Sequence, residues 1–250
     1  RSGGGRTESQ PEERIKNMTT LPRSCVPCEK IEEDGYDWYD RHRRKLVEVK
    51  TKQADIVFIG DSITHFWNNE DGDGNGLDVW EEFYGKRSVL NLGYGFDRTQ
   101  NMLWRIQHGE MENQTPEMIV INAGTNQFSI TQKYDGDSSE IAFEGVKLLI
   151  GEMRKLCPAA RIVVMAVFPR LPEETTQKRI DGLNALLKNY VEEQQKAGDN
   201  ILFLDITKQM RHPDGSFNPD LYIDQRCHPN SAGYRIWAEA LEVEIRKIMP

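Results

Sequence analysis

"DIVFIGDSITHFW" (Asp55–Trp67) is the stretch whose reading decides the fold. Ile56, Val57, Phe58 and Ile59 run without polar alternation and stop at Gly60-Asp61-Ser62. A strand covered on both faces has this composition, and such strands belong to parallel sheets flanked by helices. The same signature returns at 88–92 (SVLNL), 117–123 (EMIVINA), 161–168 (RIVVMAVF) and 201–205 (ILFLD). Helical patterns lie between them. One carries Val146, Leu149, Ile150, Met153 and Leu156 and stops before Pro158, and a second runs from about Thr176 to Gly198. The last places Tyr234, Trp237, Ala238, Leu241, Ile245 and Ile248 on one stripe. Five strands alternating with helices predict an α/β protein with a five-stranded parallel sheet, doubly wound. Sites in such sheets form beyond the carboxyl ends of the strands.

The residues after each strand are therefore the ones to read. Gly60-Asp61-Ser62 follows the first strand, "GYGFD" (Gly93–Asp97) the second and "GTN" (Gly124–Asn126) the third. A loop after the fifth leads to "IDQRCHPN" (Ile223–Asn230). One sheet edge would thus gather a hydroxyl, a glycine-rich turn, an amide, and an acid with a histidine. A serine hydroxyl is a weak nucleophile until a base takes its proton, and histidine has a suitable pKa for that task. A carboxylate orients the imidazole and stabilises its cation. N–H donors stabilise the oxyanion of acyl transfer. Backbone N–H groups at Ser62 and in the 93–97 turn, with the Asn126 amide, are the candidate donors.

None of these residues is decisive alone. The chain contains a second Gly-Asp-Ser, Gly136-Asp137-Ser138, which follows no apolar strand and precedes a helical pattern. It reads as a helix cap. Thr64 stands where the second glycine of G-x-S-x-G belongs, which excludes the α/β-hydrolase elbow. "DGDGNGLDVWEE" (Asp71–Glu82) fits the calcium-loop spacing, but its eighth position, normally apolar, is Asp78. It reads as an acidic surface loop in preference to a calcium site, and no metal or cofactor is expected. Cys25 and Cys28 in "CVPC" have no second ligand pair for zinc and no strand–helix context for redox work, so a disulfide or free thiols is expected.

Composition sets the remaining bounds. The 250 residues are 38% hydrophobic and 29% charged, enough for one sizeable core. The net charge of −8 argues against nucleic acid as a partner. No apolar run is long enough to span a bilayer, so no membrane is expected. A secreted or periplasmic setting is favoured over the cytoplasm. Residues 1–30 read as a flexible polar tail and 36–250 as one domain.

"GDSIT", "LNLGYGFDRT", "INAGTN" and "HPNSAGY" together resemble the ordered blocks of the GDSL-type, or SGNH, hydrolases. "DRTQNMLWRIQHGEMEN" (Asp97–Asn113) is similar to the helix after the second block in the branch of brain-type platelet-activating-factor acetylhydrolase subunits and bacterial acetyl esterases. The resemblance, from about Asp55 to Ile248, implies a flavodoxin-like three-layer sandwich and metal-independent hydrolysis of small esters. Carried over by position, it implies Ser62 as nucleophile, His228 as general base and Asn126 as oxyanion donor. The family's glycine donor falls on Phe96, with Gly95 beside it as the alternative. Its acid falls on Gln225, one residue past Asp224; a loop longer by one residue would bring Asp224 to the imidazole.

The expected activity is a serine esterase acting on a small acyl ester, favoured as acetyl on carbohydrate. Arg170, after the fourth strand, and Tyr94 are candidates for contacting substrate, and Trp67, Phe96 and Trp104 for lining a pocket. Cys227 reads as a small packed residue. The rivals are a non-catalytic carbohydrate-binding or interaction module, which Gln225 and Phe96 favour and Ser62, Asn126 and His228 oppose, and an O-acyltransferase.

Overall fold

The computed structural model describes residues 21–69 and 74–249. Its sheet is parallel throughout, with β1 (Ile56–Gly60), β2 (Val89–Gly93), β3 (Met118–Asn122), β4 (Arg161–Met165) and β5 (Ile201–Leu204) in the order β2-β1-β3-β4-β5. The chain starts in the middle, moves to one edge, then crosses back and builds outward. That reversal puts the gap between diverging connections above β1 and β3, where sites form in doubly wound sheets.

Alternate side chains of each strand enter separate cores. Val57, Ile59, Leu90, Leu92, Ile119 and Ile121 face one side, with helices α1 (Trp38–Thr51), α4 (Thr99–Arg105), α5 (Ser139–Leu156) and α6 (Glu173–Lys196) packed over that face of the sheet. Ile56, Phe58, Met118 and Val120 face the other, against α3 (Leu77–Tyr84) and α7 (Ser231–Ile245). The lack of polar alternation in the strands follows from this three-layer arrangement, since both faces are dry. On the second side Phe58, Trp67, Trp80, Tyr84 and Trp237 form an aromatic cluster, with Trp67 stacked on Tyr234. Trp67 therefore belongs to the core and not to a pocket wall.

Helix boundaries follow local chemistry. Ser138 caps α5 by accepting the Ile141 N–H, as expected of the second Gly-Asp-Ser. Asn230 caps α7, its side-chain oxygen accepting from Ala232 and Gly233.

One expectation shifts. Residues 1–20 lie outside the described residues, but the rest of the expected tail is packed chain. Ser24 and Cys25 are buried, Ser24 donates to the Ile141 carbonyl, and Arg23 pairs with Asp137. A polar stretch reads as a tail from composition alone, and these long-range partners are invisible to that reading. The calcium-loop pattern falls partly on residues 71–73, which are outside the described residues; its remainder enters α3, where Glu82 pairs with Arg235 and Asp78 accepts from Ser231. All four cysteines are free thiols.

Candidate active site

The register places Gly60 of β1 beside Gly93 of β2 and Asn122 of β3, so three strands end level and their loops open on one edge. Helix α2 (Ser62–His65) starts at once, with Asp61 as its cap accepting the Ile63 N–H at 2.9 Å. The helix lies so close to the sheet that a Cβ on Gly93 would come 2.3 Å from the His65 nitrogen, and one on Gly60 2.7 Å from the Asn122 carbonyl oxygen. Glycine is needed at both positions for backbone approach. Ser62 is the first residue of the helix. Its N–H is one of the orphan donors of a helix start, and no acceptor meets it among the described residues.

Ser62 Oγ lies 2.9 Å from His228 Nε2, and His228 Nδ1 lies 2.7 Å from Asp224 Oδ2. The backbone performs the adjustment that the sequence required. Gln225 adopts φ of 54°, a left-handed turn between acid and histidine, and Asp224 Oδ1 accepts N–H bonds from Arg226 at 2.9 Å, Cys227 at 2.8 Å and His228 at 3.1 Å. Burial raises the pKa of this carboxyl, but the Cys227 N–H, the His228 ring and the other N–H donors outweigh it and hold the pKa below the ordinary aspartate value. The Gln225 side chain has no part in the contact. The loop is tied down by the Tyr222 hydroxyl on the Pro169 carbonyl, by Leu171 N–H on the Arg226 carbonyl, and by Tyr234 of α7, whose hydroxyl donates to the Ile63 carbonyl. That last bond couples the helix after His228 to the helix that carries Ser62.

On the opposite side the 93–97 turn and Asn126 form a donor cluster. Phe96 has φ of 60°, the conformation that favours glycine, and no acceptor meets its N–H among the described residues. Asn126, in the helical turn Thr125–Phe128, gives one amide hydrogen to the Asp97 carbonyl at 3.1 Å and keeps the other for the cavity it lines. Gly95, the alternative donor, is excluded because its N–H is bound to His65 Nδ1 at 3.2 Å. Burial, reinforced by Arg41, Lys45, Arg105 and Arg44, pushes the His65 pKa down to about 2, so the ring is neutral and accepts that bond. His65 was not singled out from the sequence; no spacing rule marks a histidine that props a turn.

Asp97 organises this cluster from below. Its carboxylate accepts from Trp38 Nε1 at 2.7 Å and Arg105 Nε at 2.8 Å, and Arg105 also pairs with Glu110. Burial lifts the Asp97 pKa to about 6, against the pull of Arg105. Tyr94 belongs to this network and not to the substrate pocket. It is fully buried, bonds Glu110 through its hydroxyl and lies against the Arg105 guanidinium. The strand ends at Gly93, and the left-handed turn at Phe96 breaks any alternation beyond it, so Tyr94 is buried while Phe96 is exposed. Trp104 packs on Trp38 and His108, away from the cavity.

Ser62, Phe96, Asn126, Arg170, Asp224 and His228 line one cavity of about 270 Å³. Arg170 is held by the Thr125 carbonyl and hydroxyl, each at 3.3 Å, and by Ser129 Oγ. Cys227 also reaches the wall, but burial pushes its thiol up to about 12, which leaves it a packed residue and not a nucleophile. Asp34, Ser129 and Arg226 complete the polar wall and were not foreseen. Asp34 arrives from the segment before α1, and Arg226 stands between Asp224 and His228 with no motif to mark it.

The profile of the GDSL-like lipase/acylhydrolase family matches residues 58–236. The chain belongs to this family. This GDSL-family hydrolase is 29% identical over 227 residues to the platelet-activating factor acetylhydrolase IB subunit alpha1 of Rattus norvegicus, covering 90% of this chain and 88% of that protein. Among solved structures, a GDSL-like lipase from Bacteroides thetaiotaomicron superposes with a TM-score of 0.60 at 19% identity, covering 84% of this chain and 98% of that one. A mutant of an acetyl-xylooligosaccharide esterase from Geobacillus gives 0.59 at 21% identity, covering 80% and 95%. No helix among the described residues is long and apolar enough to cross a membrane.

Proposed function

We propose that this acylhydrolase cleaves acetyl or other short acyl esters of a polar alcohol, carbohydrate foremost, through an acyl-enzyme on Ser62. The observation that carries the reading is the unbroken run from Ser62 Oγ through His228 to the Asp224 carboxylate, at 2.9 and 2.7 Å. In this mechanism Ser62 Oγ attacks the ester carbonyl while His228 Nε2 takes its proton. Asp224 accepts the Nδ1–H, fixes the tautomer and stabilises the imidazolium. The N–H groups of Ser62 and Phe96 and the free Asn126 amide hydrogen face the oxyanion. His228 then protonates the leaving alcohol, and a water activated by the same ring releases the acid.

The cavity favours a short acyl chain, because about 270 Å³ is small beside ordinary ligand pockets. Its walls of Asp34, Ser129, Arg170 and Arg226 favour a hydroxyl-rich alcohol over a long lipid tail. The acetylhydrolase name of the relative and the acetylated sugar named for the Geobacillus esterase point the same way. Every part of this mechanism is organic, so chelator should leave the rate unchanged. The test is hydrolysis of p-nitrophenyl acetate. Wild type should turn it over and Ser62→Ala should lose at least about 10⁴-fold in rate with an unchanged fold. A fully active Ser62→Ala would falsify the assignment.

A further inference from the structure

Arginine pairing in this acidic protein is nearly complete, and its exceptions converge on one place. Among the described residues, Arg23, Arg43, Arg44, Arg87, Arg98 and Arg105 each meet a carboxylate. So do Arg154, Arg161, Arg211, Arg235 and Arg246. Arg41 is buried against the Gly93 carbonyl. The remaining three are Arg170, Arg179 and Arg226, for which no ion pair is found among the described residues. All three line one groove of about 360 Å³. It shares Phe96, Ser129, Arg170 and Arg226 with the Ser62 cavity, so the two are continuous.

The chemistry of the groove is one-sided. No carboxylate residue lines its walls among the described residues; Asp34 and Asp224 line the Ser62 cavity, and Glu32, which accepts from Thr131, is paired with Arg98. Ser129 adds a hydroxyl whose oxygen accepts from Arg170, whereas the Thr131 and Thr175 hydroxyls donate to Glu32 and the Pro172 carbonyl. Arg170 is fixed in place by Thr125 and Ser129, yet its buried Nε has no partner. Arg226 is held only by a 3.5 Å contact from Nε to the Leu171 carbonyl, which leaves the fork of its guanidinium open. Guanidinium groups that line one groove with no ion pair among the described residues repel one another. Guanidinium forks match the two oxygens of a carboxylate or phosphate, and such charge-assisted pairs are about twice as strong as neutral hydrogen bonds.

We infer that the groove of Arg170, Arg179 and Arg226 binds an anionic group, carboxylate or phosphate, on the alcohol portion of the ester whose carbonyl lies at Ser62. The placement on the alcohol rests on the short-acyl reading above: an acetyl group is too short to extend from Ser62 into the groove, so the alcohol is the part that reaches it.

The test uses acetate esters matched in shape. 4-Carboxyphenyl acetate and 4-acetoxyphenyl phosphate are compared with neutral 4-carbamoylphenyl acetate, and the readout is the ratio of kcat/KM for charged over neutral ester. In wild type the ratio for at least one anion should fall as salt rises, and it should fall about tenfold in Arg179→Gln and again in Arg226→Gln, the size expected of one charge-assisted contact each. The ratio cancels effects common to both esters, and thermal melts confirm folding. Which anion responds identifies the group. Binding of 4-hydroxybenzoate, phenyl phosphate and 4-hydroxybenzamide to Ser62→Ala, followed by calorimetry, gives the same comparison without turnover. Anion-selective binding that both substitutions weaken upholds the groove even if p-nitrophenyl acetate is not cleaved. Equal binding of charged and neutral compounds, or ratios unmoved in both variants, overturns it whatever the esterase test returns.

Discussion

Gly60-Asp61-Ser62 and Gly136-Asp137-Ser138 are the same tripeptide with different fates. In the first, Gly60 is the last residue of β1, so Asp61 becomes the helix cap and Ser62 the first helical residue, with its hydroxyl on His228. In the second, Gly136 turns at φ of 75°, the Asp137 side chain is buried on Gln127, Tyr134 and Arg23, and Ser138 becomes the cap of α5. A shift of one position relative to the helix start separates a serine aimed at a cavity from one bonded to its own backbone. The preceding strand sets that position, and the tripeptide does not.

The copy that carries Ser62 can act as proposed only with its partners, and Asp224→Asn tests the most demanding of them. An asparagine retains the oxygen that accepts three backbone N–H bonds, so the loop should hold its shape. Its amide would donate toward Nδ1 and turn the ring to the wrong tautomer, with a hydrogen on Nε2 facing Ser62. The expected loss in kcat is about 10³- to 10⁴-fold. Full activity in this variant would show that Ser62 and His228 work without the acid.

Asn126→Ala removes a donor from the side of the cavity opposite His228. Its target charge exists only in the transition state, so kcat should fall about 10²- to 10³-fold with KM little changed. A change confined to KM would move Asn126 to ground-state binding.

Gln225 separates side-chain from backbone effects. At φ of 54° a β-branched residue is strained, so Gln225→Val should disturb the loop and lower kcat about tenfold, whereas Gln225→Gly should stay within about threefold. Equal loss in both would mean that the glutamine side chain, and not the turn, matters.

These variants also mark what was legible in the chain. The strands were readable because burial on both faces leaves unbroken apolar runs, and Ser62, Asn126 and His228 were readable because they follow strands or open a helix. Phe96 and Gln225 looked like departures from the family pattern because glycine is the usual answer to positive φ, and the structure meets both with side chains that tolerate it at some cost. Gly95 failed as a donor because of His65, a contact between the 93–97 turn and a helix residue thirty positions earlier. Asp34 and Arg226 carry no periodicity or motif, and only the folded chain brings them to the wall. Tyr94 turns inward because Glu110 and Arg105, eleven and more residues further on, receive it, and no local pattern announces those partners.

The smallest effect belongs to the other Gly-Asp-Ser. Ser138→Ala removes the cap of α5, leaving the Ile141 N–H without its side-chain acceptor at a helix start. Caps of this kind contribute about 0.5–2 kcal/mol. The bond here is 3.3 Å long at an exposed position, so the lower half of that range applies and water recovers part of the loss. For a chain of this size that is a fall in Tm of about 2–4 °C, read by calorimetry. The rate on p-nitrophenyl acetate should match wild type, because Ser138 lines neither the cavity nor the groove. The sharpest form of the contrast is therefore crossed: Ser62→Ala loses rate and keeps Tm, Ser138→Ala loses Tm and keeps rate. A Ser138→Ala protein with wild-type stability but reduced turnover would mean that the two copies are coupled, and that position relative to the helix start does not by itself divide their roles.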